Sequence, residues 1–143
     1  MRRISNAVLT LCALLTIYSL VQSTTAAPAK KVAPVVVVQG KIQAIARAPR
    51  PRSVPYKDAI IAIHLVNIKP LKGRFSPKQT VVFVWGMRDN KLTPAASFKP
   101  GHVIKVALQP WEKVEGKYGG YNRREIDSEE AMSLDPYWGE IQK

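Results

Sequence analysis

The sequence predicts an all-β fold, a small Greek-key barrel of the OB type with an irregular C-terminal tail. Three observations predict it. Four segments rich in β-branched residues are separated by short connections containing Pro and Gly. No stretch before the tail carries the periodicity of a long helix. The first apolar run is long and is interrupted by Gly40, the mark of a strand bent to serve two sheets. Barrel closure would also remove exposed edges, an advantage for so valine-rich a chain. An SH3-like barrel or a small sandwich fits the strand number almost as well.

Residues 1–26 read as a cleavable secretory signal. Arg2 and Arg3 precede the uncharged apolar run Ala7–Val21, and Thr24 and Ala26 supply small residues at the −3 and −1 positions of a cleavage site. The run is shorter than the ~20 residues of a spanning helix, so no stable membrane anchor is expected after cleavage. Cys12 is the sole cysteine and falls inside this run, which leaves the mature chain without disulfides. Export without disulfides suits a bacterial periplasm, with release to the medium as the other destination. Residues 27–34 form a spacer.

The barrel is expected over residues 35–111. Its first strand, Val35–Ala46, turns to alternation after Gly40, with Ile42 and Ala44 opposed to Lys41 and Gln43. Three prolines make residues 47–58 a loop. Ala59–Lys69 is the second strand, followed by a turn at Pro70–Gly73; Gln79–Arg88 is the third, followed by the tight polar connection Asp89-Asn90-Lys91. Residues 93–101 are loop-like, and His102–Gln109 is the fourth strand. The tail, residues 112–143, holds a short helical stretch within residues 123–134, capped by Asp127 or Ser128, and then the aromatic turn Asp135–Gly139.

Charge is distributed unevenly along a chain of formal net charge +12. Residues 27–111 hold 15 basic residues and two acidic ones, Asp58 and Asp89, whereas residues 112–143 hold five basic and eight acidic. A basic body with an acidic tail points to a polyanionic partner or to self-neutralisation by the tail.

The residues for catalysis are scarce. His64 sits mid-strand between apolar neighbours, where a packed imidazole is the ordinary reading, and His102 follows Pro100-Gly101 at a strand start. Two isolated histidines fall short of a metal ligand set. No serine lies in a G-x-S-x-G turn, and Lys117–Gly120 lacks the spacing of a phosphate loop. The sequence therefore predicts no enzyme, no catalytic or metal site and no cofactor.

Binding is better provided for. Arg47, Arg50, Arg52 and Lys57 lie on one loop, and Lys69, Lys72, Arg74 and Lys78 cluster around the next. On an OB-type barrel such loops and one strand face take oligonucleotides or oligosaccharides. The cations would meet phosphate or uronate groups, and Tyr56, Phe75 or Trp85 would stack on a ring, with Tyr56 and Trp85 the favoured pair. Trp85 also fits the barrel core, and loop cations also serve solubility. The export signal argues against nucleic acid and for an anionic glycan or a periplasmic protein. Tyr137 and Trp138, two large aromatics in a polar tail, either dock back on the barrel or anchor a partner.

The segment VFVWGMRDNKLTPAASFKPGHVIKVALQPWEKVEGKYGGYNRREID, together with DPYWGE, resembles small exported proteins associated with the alginate-type polysaccharide O-acetylation machinery. The similar stretch spans residues 82–140. The SGNH-type acetyltransferases of that machinery carry Gly-Asp-Ser and Asp-x-x-His blocks, and neither occurs here. The resemblance implies an accessory or glycan-binding role near an acetyltransferase and carries over no catalytic residue.

Overall fold

The computed structural model describes residues 35–143. The expected signal peptide and the spacer lie outside the described residues. Seven strands and two short helices follow in the order β1 Val36–Ile45, β2 Ala59–Lys72, β3 Thr80–Arg88, β4 Lys91–Leu92, β5 Val103–Pro110, α1 Trp111–Tyr118, β6 Asn122–Arg124, α2 Glu129–Met132 and β7 Pro136–Ile141. Among the described residues no helix is long and apolar enough to cross a membrane.

Five strands close into a barrel in the circuit β1-β2-β3-β7-β5 and back to β1. All neighbours are antiparallel except β3 and β7, which run parallel. This is the all-β, OB-like barrel that the sequence predicts. Gly40 does the work expected of it. On one side β1 pairs with β5 from Val36 to Lys41; on the other it pairs with β2, with a register break between Gln39 and Lys41. A Cβ on Gly40 would stand 3.3 Å from Leu65 Cβ, so the bend is made where β1 passes close to β2.

Two predicted boundaries move. β2 continues through Pro70 to Lys72, and the chain turns only at Gly73, whose φ of 79° is left-handed. Lys72, expected in the turn, is therefore a strand residue, and Lys69 lies within the strand and not at its end. The separation into a barrel ending at residue 111 and a tail is also replaced. Pro136–Ile141 supplies the strand that closes the barrel, pairing with β3 over Val81–Phe83 and with β5 over Val106–Pro110. The connection Asp89-Asn90 behaves as expected. Both residues have positive φ, 46° and 57°, as a two-residue hairpin loop between β3 and β4 requires.

Strand alternation sends side chains to two cores. The barrel interior holds Val38, Ile42, Ile61, Ile63, Leu65, Val82, Val84, Ile104, Val106 and Leu108. The outward residues Ile60 and Ala62 of β2 and Val81 and Phe83 of β3 form a second core with Trp111, Ala131 and Trp138. Residues 111–134 thus lie over the outer face of β2 and β3. β6 holds this cover in place by pairing with the stretch of β2 that β1 leaves free, Ala59–Ile61. Ser128 caps α2, its hydroxyl accepting from the Ala131 N–H, which agrees with one of the two caps expected.

Candidate functional site

The face of an OB barrel that ordinarily meets ligand is the outer surface of its second and third strands together with the flanking loops. Here that surface is apolar and is covered by the protein's own residues 111–134. Trp85, the last outward aromatic of β3, is half-buried at the edge of the cover. Its ring meets Tyr118, Tyr121 and Trp138 edge-on, with centroids 5.7, 4.8 and 5.4 Å away. The Arg88 guanidinium lies over it at 3.9 Å. Trp85 is therefore a packing residue whose face already carries a cation, and it does not present the open stacking platform expected of it. Tyr121, 38% exposed, is the accessible ring of the cluster.

The arginine loop is exposed as expected: Arg47, Arg50 and Arg52 point to solvent, as does Lys57, while Tyr56 is half-buried. Proline spacing and a turn in which the Ser53 N–H and hydroxyl both donate to the Arg50 carbonyl hold it. Its far end is tied to the β3–β4 hairpin. Asn90 N–H donates to the Lys57 carbonyl (2.9 Å), Asp89 N–H donates to Asp58 Oδ1 (2.8 Å), and Arg88 pairs with the same carboxylate at 3.4 Å. Among the described residues no hydrogen bond, ion pair or ring contact joins Arg47, Arg50, Arg52 or Tyr56 to Trp85, so the predicted set does not assemble into one site.

The tail aromatics are placed inside the protein. Trp138 is 2% exposed and stacks on Tyr118 with centroids 3.9 Å apart. Tyr137 packs against the barrel interior and meets Phe75 edge-on. Of the two fates expected, docking back is the one observed, and the Trp138 ring is reached only if the cover residues such as Tyr118 move off it. Trp138 Nε1 is buried with no hydrogen-bond partner among the described residues. His64 is buried as expected, its Nε2 within 3.1 Å of Gln79 Oε1, and His102 is exposed.

A different basic surface emerges on the uncovered side of the barrel. Directly paired residues of neighbouring strands put their side chains on the same face. Gln39 of β1 lies between Lys69 of β2 and Lys105 of β5; Lys41 lies between Val66 and Val103; Val37 lies between Lys72 and Ala107. All four lysines are exposed. With neighbouring strands ~4.8 Å apart, the Lys69 and Lys105 columns stand roughly 10 Å from each other. β1, β2 and β5 carry no carboxylate. On the adjoining strand β7, Glu140 stands opposite Ala107, at the border of this surface. Sequence periodicity shows Lys41 and Lys105 on the polar side of their strands. Bringing Lys69 beside them requires the register break at Gly40, which no local pattern states.

No family model, curated protein or solved structure matches this chain.

Proposed function

We propose that this chain is an exported, non-catalytic accessory module that holds an anionic polysaccharide, within or beside a polysaccharide-modifying complex. The observation that supports this reading is the carboxylate-free lysine face of β1, β2 and β5. A three-strand surface of the barrel wall presents its cations on paired strand positions, suited to the repeated carboxylates along a polyuronate. Ammonium–carboxylate hydrogen bonds are charge-assisted and tolerate the rotational freedom of a sugar acid. Gln39 in the middle of the lysines can donate to a hydroxyl or a ring oxygen. The arginines of the 47–58 loop form a second, separate cationic set that a long chain could also reach.

The experiment is a calorimetric titration of residues 27–143 with a polyuronate oligosaccharide, a neutral oligosaccharide and a single-stranded oligonucleotide, at low and near-physiological salt. The parent protein should prefer the polyuronate and keep that binding at physiological salt. K41E/K69E/K105E should lower the affinity at least ~100-fold, since charged hydrogen bonds contribute ~1.5–3 kcal/mol each. R47E/R50E/R52E should lower it less. Both variants should melt within a few degrees of the parent, because every replaced side chain is exposed. Unchanged binding in the lysine variant removes the sheet face from the site. Equal, salt-labile binding of every polyanion reduces the charge to a solubility feature.

A further inference from the structure

Between the cover segment and the outer face of β2 and β3 lies a cavity of about 320 Å³. Its floor is Ala62, Val81 and Phe83; Trp111 forms one wall; Ala131, Met132 and Leu134 form the other. The floor is hollow because β2 and β3 place small side chains there beside the ring of Phe83. Arg123 and Glu125 stand at its polar end. Apolar walls with a small number of fixed polar groups are the usual make-up of a small-ligand site.

Arg123 is placed with some care. Its guanidinium lies over Phe83 at 4.7 Å and over Trp111 at 5.2 Å. Nε donates to Glu125 Oε1 at 2.9 Å, and one terminal nitrogen lies 2.8 Å from the same oxygen. One carboxylate oxygen thus takes one edge of the fork, and three of its five N–H groups remain for another acceptor. The Arg123 side chain is 32% exposed and that of Glu125 is 56% exposed. An ion pair this open to water contributes little. Glu125 can therefore give up its place and be hydrated at small cost, leaving the same edge of the Arg123 guanidinium to another carboxylate.

We propose that this cavity binds a small amphipathic carboxylate, an acyl chain or single ring whose apolar body lies on Ala62 and Val81 and against Ala131 and Leu134, beside the guanidinium-covered ring of Phe83, while its carboxylate replaces Glu125 on Arg123. A space of this volume falls at the small end of ligand sites, and octanoate is a small probe that carries both an apolar chain and a carboxylate. Met132, 71% exposed at the rim, is an unbranched side chain able to fold over the chain end. The site shares no residue with the lysine face, which lies on another stretch of the barrel's outer surface, and the two can be tested apart.

The probes are octanoate and its neutral counterpart 1-octanol, titrated into the protein by calorimetry with tryptophan fluorescence as a second readout. The parent should bind octanoate at least tenfold more tightly than octanol. Arg123→Gln should abolish that difference and leave octanol binding in place. Glu125→Gln removes the resident competitor and should tighten octanoate several-fold, an effect opposite in sign to that of a merely structural loss. Ala62→Phe fills the cavity from the floor and Ala131→Leu from the cover; whichever retains the parent's circular dichroism should lose both ligands. Equal affinity for octanoate and octanol in the parent overturns the carboxylate assignment. Octanoate that does not bind at millimolar concentration, or that binds undiminished to a folded cavity-filled variant, overturns the site.

Discussion

A chain ending at Ser133 should fail to fold cooperatively. Residues 136–141 stand between β3 and β5, and without them both strands lose a neighbour and the barrel becomes an open sheet. The interior loses its contacts with Tyr137 and Ile141, and the outer core loses Trp138. Gly139 shows how closely this strand is fitted: a Cβ there would overlap Val82 Cγ1 and come within 2.7 Å of Val106 Cγ2. Truncating one buried Trp costs about 3–5 kcal/mol. A domain of this size holds only ~5–15 kcal/mol in total. Removal of the whole strand, with its ladder of hydrogen bonds, exceeds that margin. Circular dichroism of the 27–133 chain should show no sigmoidal melt, and its amide proton spectrum should collapse into a narrow range. A truncated chain that still melted near the parent's midpoint would restore the tail as a separate appendage.

That expected outcome marks the line between what local sequence carries and what it does not. The four strands predicted before residue 111 are legible because alternation and β-branching are local, and Gly40 is legible because glycine in a strand has few reasons to be there. β7 is not. Pro136-Tyr137-Trp138-Gly139 reads as a turn by every local rule, and it becomes a strand because β3, more than 50 residues earlier, and β5 offer free edges on either side. Thr80 Oγ1 donating to the Asp135 carbonyl (2.8 Å) fixes where that strand enters, and no window of adjacent residues contains both. The cover over β2 and β3 has the same origin. Its apolar residues, Trp111, Val114, Ile126, Ala131 and Leu134, are too scattered to show periodicity, yet they converge on one sheet face.

The candidate surfaces divide in the same way. Arg47, Arg50 and Arg52 were visible because they are crowded in sequence, and the structure leaves them exposed. The lysine face was hidden because its members lie on three strands. Trp85 fits a stacking ring by sequence because period-two spacing cannot say whether an outward aromatic meets solvent or a returning segment. Here it meets Tyr118, Tyr121 and Trp138.

Trp138 is the residue whose replacement separates a structural tail from a partner anchor most sharply. It is buried, stacked on Tyr118 and set edge-on to Trp85, so it joins β7, α1 and β3 within the outer core. Trp138→Ala should cost about 3–5 kcal/mol, the range for truncating a buried Trp where the surroundings collapse incompletely. At ~4–8 °C per kcal/mol for a small domain, the melting midpoint should fall by roughly 15 °C or more. Trp138→Phe should cost much less. It keeps a ring against Tyr118, and it also removes the indole N–H, which is buried without a partner and whose desolvation opposes folding by ~1–3 kcal/mol. A partner anchor would behave in the reverse way. Both substitutions would then leave the melt unchanged, and Ala would abolish capture of the partner while Phe weakened it. A thermal melt of the two variants beside the parent decides between these outcomes. Polyuronate binding measured well below the variants' melting range should be retained by both, because Lys41, Lys69 and Lys105 lie outside the outer core to which Trp138 belongs.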